Sequence, residues 1–364
     1  MYDHKYLLEF TTELFMRIGC SRDDAGAVAS VLIAAELRGH SSHGMIRIKE
    51  YYDLWKTGRV NVTPEVKVVH QTPSTAVVDG DRCFGMVAGM KSMKLAIEKA
   101  ATTGTGWVAT KNSNHFGIAG YYAMMALDHD MVGICVTNAN PLVVPTWSVS
   151  RYLGTNPLAV AVPALQEPPF IADFATTPIA RGKLAVSEKK GEKVLLGFVQ
   201  DAEGNPSDDP GILRRGGGML TLGGDRPHGS HKGYCMAAVV DIFSSVFSGA
   251  NFGPFVPPSV AYLPVPENQP GEGTGHFFGA MRIDAFRPAD EFKSSMDQWI
   301  KTFRSAKPIK GETRVLIPGD PEREAEAQNR DSGIKLVPAV VDAGAFRGWF
   351  LADHPLPVGI LLHH

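Results

Sequence analysis

The 364 residues hold 36 Lys and Arg against 38 Asp and Glu, a formal charge of -2. That balance argues against nucleic acid or a membrane surface as partner, and the length suffices for two or three domains with a cleft between them. Cys20, Cys83, Cys135 and Cys235 are scattered without a CxxC pair or a zinc-like spacing, so reduced, mostly buried thiols are expected. MYDHKYLLEF lacks the basic start and apolar core of a signal peptide, and no run approaches the roughly 18 apolar residues of a membrane span. A soluble cytoplasmic protein is expected.

The first sixty residues predict three helices. Residues 4–18 repeat apolar side chains at helical spacing and stop at Gly19; Ser21 with Asp24 has the form of a capping box for a second helix ending at Leu37. The third is expected to start within RGHSSHGMIRIKEYYDLW, residues 38–55, with Ser42 as its cap and Met45, Ile48, Tyr51, Tyr52 and Trp55 on one apolar face. From about residue 66 short β-rich runs take over: VKVVH, TAVVDG, GWVATKN, MVGICVTN and PLAVAVP, with helices near 87–102 and 119–127. Residues 184–230 carry a charge run and many glycines and read as surface excursions around a site. An apolar helix over KGYCMAAVVDIFSSVFSG, a Pro-rich loop, a strand over HFFGAMRID and helices near 288–303 and 320–330 follow. The domain division expected is a helical part over 1–72 joined by C-terminal helices from 304–352, an interleaved α/β region over 73–303, and a flexible tail over 353–364.

One motif is set aside. TGTGWVA contains Gly104, Gly106 and Ala109 at dinucleotide-fingerprint spacing, but a helix precedes it and a strand follows, the reverse of the strand-to-helix turn that aims a helix N-terminus at a pyrophosphate. It is read as a turn.

Four clusters carry chemistry. At the start of the third helix His43 would sit in the first turn, where the helix dipole disfavours an imidazolium, and Arg47 one turn on has the planar fork that captures a carboxylate. The same stretch is compatible with capping serines, exposed histidines and a solvated arginine. In KNSNHFGIAGYYA, His115 lies between a strand and a helix, beside Gly117 and Gly120, which permit close backbone approach. In PFIADFATTPIARGK, Asp173 ends an apolar stretch, and orienting a catalytic imidazole is one use for such a carboxylate. In GSHKGYCMAAVVDIF, Lys232 and Gly233 precede an apolar helix whose N-terminus would suit an anion. No Walker loop, HExxH helix or GxSxG elbow is present.

RGHSSHGMIRIKEYYDLWKTG, NSNHFGIAGYYA, TNANPLVVPTW, GTNPLAVAVP, DFATTPIARGK, HKGY and GHFFGAMRID, in that order over residues 38 to about 284, resemble the type 2 malate/L-lactate dehydrogenase family of NAD(P)-dependent oxidoreductases. The resemblance implies a non-Rossmann α/β fold with a mostly antiparallel central sheet, a helical domain from both chain ends, and a homodimer with sites near the subunit interface. It makes His43 the proton donor and acceptor, Asp173 its partner, Arg47 with Ser42 the carboxylate anchor, and His115 a neighbour of the nicotinamide. It places Thr137, Asn138, Thr176, Thr177, Lys232 and Gly233 at the dinucleotide, and Gly319 and Asp320 where relatives carry Gly-Glu.

Oxidising a 2-hydroxy acid requires a base, a carboxylate anchor and an oriented nicotinamide to converge. The activity so implied is interconversion of a 2-hydroxy acid, malate first, with its 2-oxo acid. The alternatives are reduction of a cyclic ketimine such as piperideine or pyrroline 2-carboxylate, and a non-catalytic anion- or dinucleotide-binding protein. The residues do not choose between NAD and NADP.

Overall fold

The computed structural model describes residues 1–265 and 267–336. The expected tail over 353–364, and the part of the C-terminal helical region beyond residue 336, lie outside the described residues. The N-terminal helices form where their signals stand. Helix α1 (His4–Arg17) is capped by Asp3, whose Oδ1 accepts the amides of Lys5 and Tyr6 at 2.9 and 3.0 Å. Helix α2 (Arg22–Leu37) begins at Ser21, whose Oγ accepts the Asp24 amide at 3.1 Å, with Asp23 and Asp24 in the first turn.

The third helix departs from expectation. Ser41–His43 and Met45–Arg47 are separate 3-10 turns broken at Gly44, and the α-helix proper, α3, spans Ile48–Lys56. Ser42 therefore caps nothing, and His43 does not sit in a first α-turn. The physical reason is Glu36, which is buried and accepts the Ser41 hydroxyl and the Met45 amide, both at 2.8 Å, bending the segment over itself. At Gly44 a Cβ would stand 2.3 Å from Glu36 Oε1, so the bend requires glycine.

The strands are β1 (Lys67–Gln71), β2 (Thr75–Asp79), β3 (Thr105–Ser113), β4 (Met131–Thr137), β5 (Leu158–Val162), β6 (Phe170–Phe174), β7 (Val199–Gln200), β8 (Pro206–Ser207), β9 (Gly218–Met219) and β10 (Thr274–Arg282). Seven form one sheet in the order β1-β2-β3-β10-β4-β5-β6, antiparallel at every contact but β2 with β3. That is the mostly antiparallel sheet expected. Its first strand falls inside the stretch assigned to the helical part, so the helices end at Lys56 and the sheet starts at Lys67.

Strand β10, last in sequence, lies in the middle and is buried from Thr274 to Ala280, with His276 satisfied by Thr137 and Ser113 among apolar neighbours. Helix α4 (Gly85–Thr103) covers one side together with α5 (Ala119–Met124). The other side meets α7 (Ser230–Asp241) and the π-turn Ile242–Val246 that continues it. Of the set-aside glycines Gly104 makes the turn that ends α4 at φ +86°, whereas Gly106 already lies in β3, where a Cβ would stand 2.0 Å from the Ala96 carbonyl oxygen.

Residues 184–230 hold more structure than loops. Helix α6 (Arg181–Lys190) and the small antiparallel sheet β8-β7-β9 enclose their own core around Leu184, Val199, Ile212 and Met219. Helix α8 (Ala289–Arg304) follows the central strand, and α9 (Asp320–Ser332) returns to the N-terminal helices. There Arg38 pairs with Glu326, Asn329 Nδ2 donates to the carbonyls of Glu36 and Leu37, and Tyr2 bridges Ile334. Both chain ends thus build one helical layer. Among the described residues no helix is long and apolar enough to cross a membrane. Cys20, Cys83 and Cys135 are buried and Cys235 is exposed.

Candidate active site

His40, Ser42, His43, Arg47, His115 and Asp173 line one cavity of about 280 Å³. Three stretches deliver them: the paired 3-10 turns, the loop between β3 and α5, and the end of β6. The imidazoles of His43 and His115 stack with centroids 5.6 Å apart and planes 24° from parallel. Burial lowers the His43 imidazolium to a pKa of about 3, with the Arg47 charge adding to the effect, so the ring is neutral near pH 7. The cause differs from the helix dipole expected, because the α-helix starts five residues later. Its Nδ1 lies 3.0 Å from the Ser42 hydroxyl, leaving Nε2 for a ligand.

His115 is likewise held well below its ordinary pKa by burial and by Arg47. Its Nδ1 is 2.8 Å from the Tyr51 hydroxyl, and the Gly117 amide points at the same atom from 3.4 Å. Burial raises the Tyr51 phenol, so it stays protonated and donates. With two donors on Nδ1, the neutral ring carries its proton on Nε2. The cavity therefore holds two neutral imidazoles in different roles.

Arg47 Nε donates to the Ser42 carbonyl at 2.8 Å, and its Nη1 pairs with Glu50. Asp173 is placed differently from the expected partnership. Its Oδ2 accepts the Gly120 amide at 2.7 Å; burial raises its carboxyl, while that bond and the charges of His40 and Arg38 pull it down. It shares the cavity with His43 but makes no hydrogen bond to it. The tighter path of the 3-10 turns sets His43 against His115 and leaves His40 as the imidazole that acts on Asp173.

The residues assigned to the dinucleotide divide. Thr137 Oγ1 donates to the Gly275 carbonyl at 2.9 Å and lies 2.7 Å from His276 Nδ1, while Asn138 donates to the Asn251 carbonyl at 2.8 Å and accepts the Gly275 amide at 3.0 Å. Thr176 Oγ1 donates to Thr155 and Asn156 carbonyls, and Thr177 Oγ1 to that of Ile179. These four hold loops that border the cavity. Lys232 is exposed in the first turn of α7, and Gly233 lets that helix touch the backbone of Leu222, where a Cβ would be 2.2 Å from the carbonyl oxygen. Both belong to the helix rather than preceding it. Gly319 and Asp320 are not brought to the cavity: Gly319 caps α9 at φ +98°, and Asp320 is spent on Arg304, Arg323 and the Ile317 amide.

Sequence reasoning did not find Glu36, Tyr51 or Arg181. Tyr51 reaches His115 across 64 positions and Arg181 lines the cavity from the start of α6, contacts that leave no local spacing to read.

The family model for malate/L-lactate dehydrogenase matches residues 2–343. The chain is 41% identical over 315 residues to malate dehydrogenase of Pyrococcus abyssi, covering 86% of this chain and 84% of that one. It is 36% identical over 319 residues to L-sulfolactate dehydrogenase of Methanocaldococcus jannaschii, covering 88% of each. Among solved structures, malate dehydrogenase of Entamoeba histolytica superposes with a TM-score of 0.89 at 34% identity, over 98% of both chains. With the sheet order and the cavity in place, these likenesses establish that the chain belongs to the malate/L-lactate dehydrogenase family of oxidoreductases, whose chemistry calls for a nicotinamide cofactor.

Proposed function

We propose that the protein is an NAD(P)-dependent dehydrogenase interconverting a 2-hydroxy acid, malate foremost, with its 2-oxo acid. The observation that carries this reading is the neutral His43 ring stacked on His115 beside Arg47 in one cavity. His43 Nε2 takes the hydroxyl proton of the substrate; its burial keeps the ring unprotonated and ready to do so. In reduction the same atom returns the proton, and a substrate carboxylate nearby raises the imidazole toward the charged form. His115 donates from Nε2 to the substrate oxygen, and Tyr51 fixes that tautomer. The free edge of Arg47 holds the carboxylate next to the reacting carbon, with Ser42 keeping Nδ1 of His43 engaged. Asp173 acts on the cavity from the His40 side.

The residues present fit a dinucleotide. The loop that contributes Leu142 to the first cavity contributes Val144 to Val149 to a second, of about 300 Å³, where the Arg226 guanidinium lies 5.6 Å over the Trp147 ring. An indole face, a guanidinium and the first turn of α7 at Ser230 suit an aromatic base and phosphate oxygens. When bound, the cofactor supplies the hydride acceptor or donor. Thr137, Asn138, Thr176 and Thr177 shape the loops on which it would lie, and Lys232 follows Ser230 of that second cavity by two residues along α7. A homodimer accords with the exposed Val239, Ile242, Val246 and Phe247 on one stretch of α7 and its π-turn.

The test follows consumption of NADH and NADPH by absorbance against oxaloacetate, pyruvate, sulfopyruvate and piperideine 2-carboxylate. Turnover of a 2-oxo acid is expected, and His43→Ala should lower kcat by about 10²–10⁴-fold while leaving cofactor binding, read by nucleotide fluorescence, intact. Turnover of the cyclic imine alone moves the chain to ketimine reduction; a His43→Ala variant with most of its activity removes His43 from the proton path.

A further inference from the structure

Arg47 is not an unencumbered cation: Glu50 pairs with its Nη1 and the Ser42 carbonyl takes its Nε, so Nη2 is the part left for a ligand. The facing wall of the same cavity carries Arg181 and Lys183, in the first turn of α6. Among the described residues neither has a carboxylate partner, and the one side-chain hydrogen bond of Arg181 reaches the Tyr262 hydroxyl from 3.4 Å. The acids of that region are engaged elsewhere, Glu188 with Arg214, Glu192 with Lys190 and Asp208 with Lys193.

The two walls meet at Ser42. Arg47 grips its carbonyl from one side, and from the other Gly182 comes so close that a Cβ would lie 3.1 Å from Ser42 Cβ. A ligand anchored at Arg47 with its reacting carbon under His43 thus finds a second guanidinium across a short span, in a cavity whose carboxylate, Asp173, is tied to the Gly120 amide. An unpaired guanidinium facing a small cavity is a bidentate receptor for a planar or tripodal oxyanion.

Resting on the dehydrogenase reading above, we propose that Arg181, with Lys183 beside it, binds a second acidic group of the substrate, so that the chain selects 2-oxo and 2-hydroxy acids bearing a distal carboxylate or sulfonate over monoacids.

The test measures kcat/KM for oxaloacetate, sulfopyruvate and pyruvate in the wild type, Arg181→Gln and Arg181→Lys, alongside the cofactor KM. The wild type should prefer a diacid, and whichever of oxaloacetate and sulfopyruvate it prefers names the acidic group. In Arg181→Gln the diacid-to-pyruvate ratio should fall by about 10- to 100-fold, the size of a lost charge-assisted hydrogen bond. The fall should come through the diacid KM, and Arg181→Lys should recover part of it. Calorimetric titration with malonate against acetate should show the same loss without turnover. Equal losses on diacid and monoacid, or a raised cofactor KM, would assign Arg181 to the fold or the dinucleotide and overturn the proposal. Those results leave wild-type turnover of 2-oxo acids intact, whereas a wild type inert on all three substrates removes the dehydrogenase reading beneath it.

Discussion

The Tyr51 hydroxyl, 2.8 Å from His115 Nδ1, decides which nitrogen of that ring faces the substrate. Replacing Tyr51 by Phe keeps the buried ring in α3 and its contact with Phe84, whose centroid lies 5.9 Å away, but removes the donor. The lost bond is worth about 1 kcal/mol, so kcat should fall about 5- to 10-fold with little change in KM. A matching rise in KM with unchanged kcat would show that Tyr51 serves binding alone. His43, Arg47 and His115 were legible from polar stretches beside glycines and Asp173 from its place at the end of an apolar strand, and all four line the cavity. Their pairing was not legible. Tyr51 and His115 are 64 positions apart, and the bond from Asp173 to Gly120 joins β6 to the start of α5; neither leaves a local spacing to read. The pairing of Asp173 with His43 is what the resemblance implies; in the structure the Asp173 carboxylate instead accepts the Gly120 amide, and the 3-10 turns that Glu36 bends set His43 against His115.

At the scale of elements, local signals worked where local energy decides. The Ser21 cap, the glycine stops and the alternating strands placed α1, α2 and β1 to β5 close to where they stand. Helix α6 escaped because RGKLAVSEKK buries just Leu184 among the described residues of that helix, and a helix that lacks an apolar stripe is held by neighbours, not by its own pattern. The order of the sheet, with β10 inserted between β3 and β4, is a long-range choice no window of sequence reports. Gly106 shows how element packing imitates a cofactor motif. Its role is to let β3 touch α4, so Gly106→Ala should cost about 1–3 kcal/mol through backbone displacement. Cofactor affinity of the folded fraction should be unchanged. Denaturant titration beside nucleotide binding separates the two effects, and weakened nucleotide binding without lost stability would restore the phosphate role to this turn.

Across the whole molecule, one buried imidazole and two half-buried ones set how stability responds to acid. His43 and His276 are lowered to about 3, and His115 well below its ordinary value, in each case first by burial. His276 is satisfied as a neutral ring between the hydroxyls of Thr137 and Ser113, at 2.7 and 2.8 Å, and stacked 4.6 Å from Phe116. Unfolding returns all three to roughly 6.5, so between that pH and about 3 the unfolded chain binds more protons than the folded one. Stability therefore rises with pH across this window and is lost as pH falls through it, by up to about 1.4 kcal/mol per pH unit for each ring. Glu36, Asp173 and Asp241 work in the opposite sense, because burial raises their carboxyls and the folded state then keeps protons the unfolded chain would release. Their window opens at the ordinary carboxylate range, near pH 4, so the imidazoles dominate the upper part of the fall. Urea midpoints taken from pH 8 downward should be flat above about 7 and fall below 6, because each ring draws on the ~5–15 kcal/mol that holds a domain folded. His43→Gln should flatten that slope by about 1 kcal/mol per pH unit, because one proton-binding difference between the two states is gone. Parallel slopes in the two proteins would mean that the His43 ring is hydrated enough to take its proton in the folded state, and that its neutrality does not prepare it to act as a base.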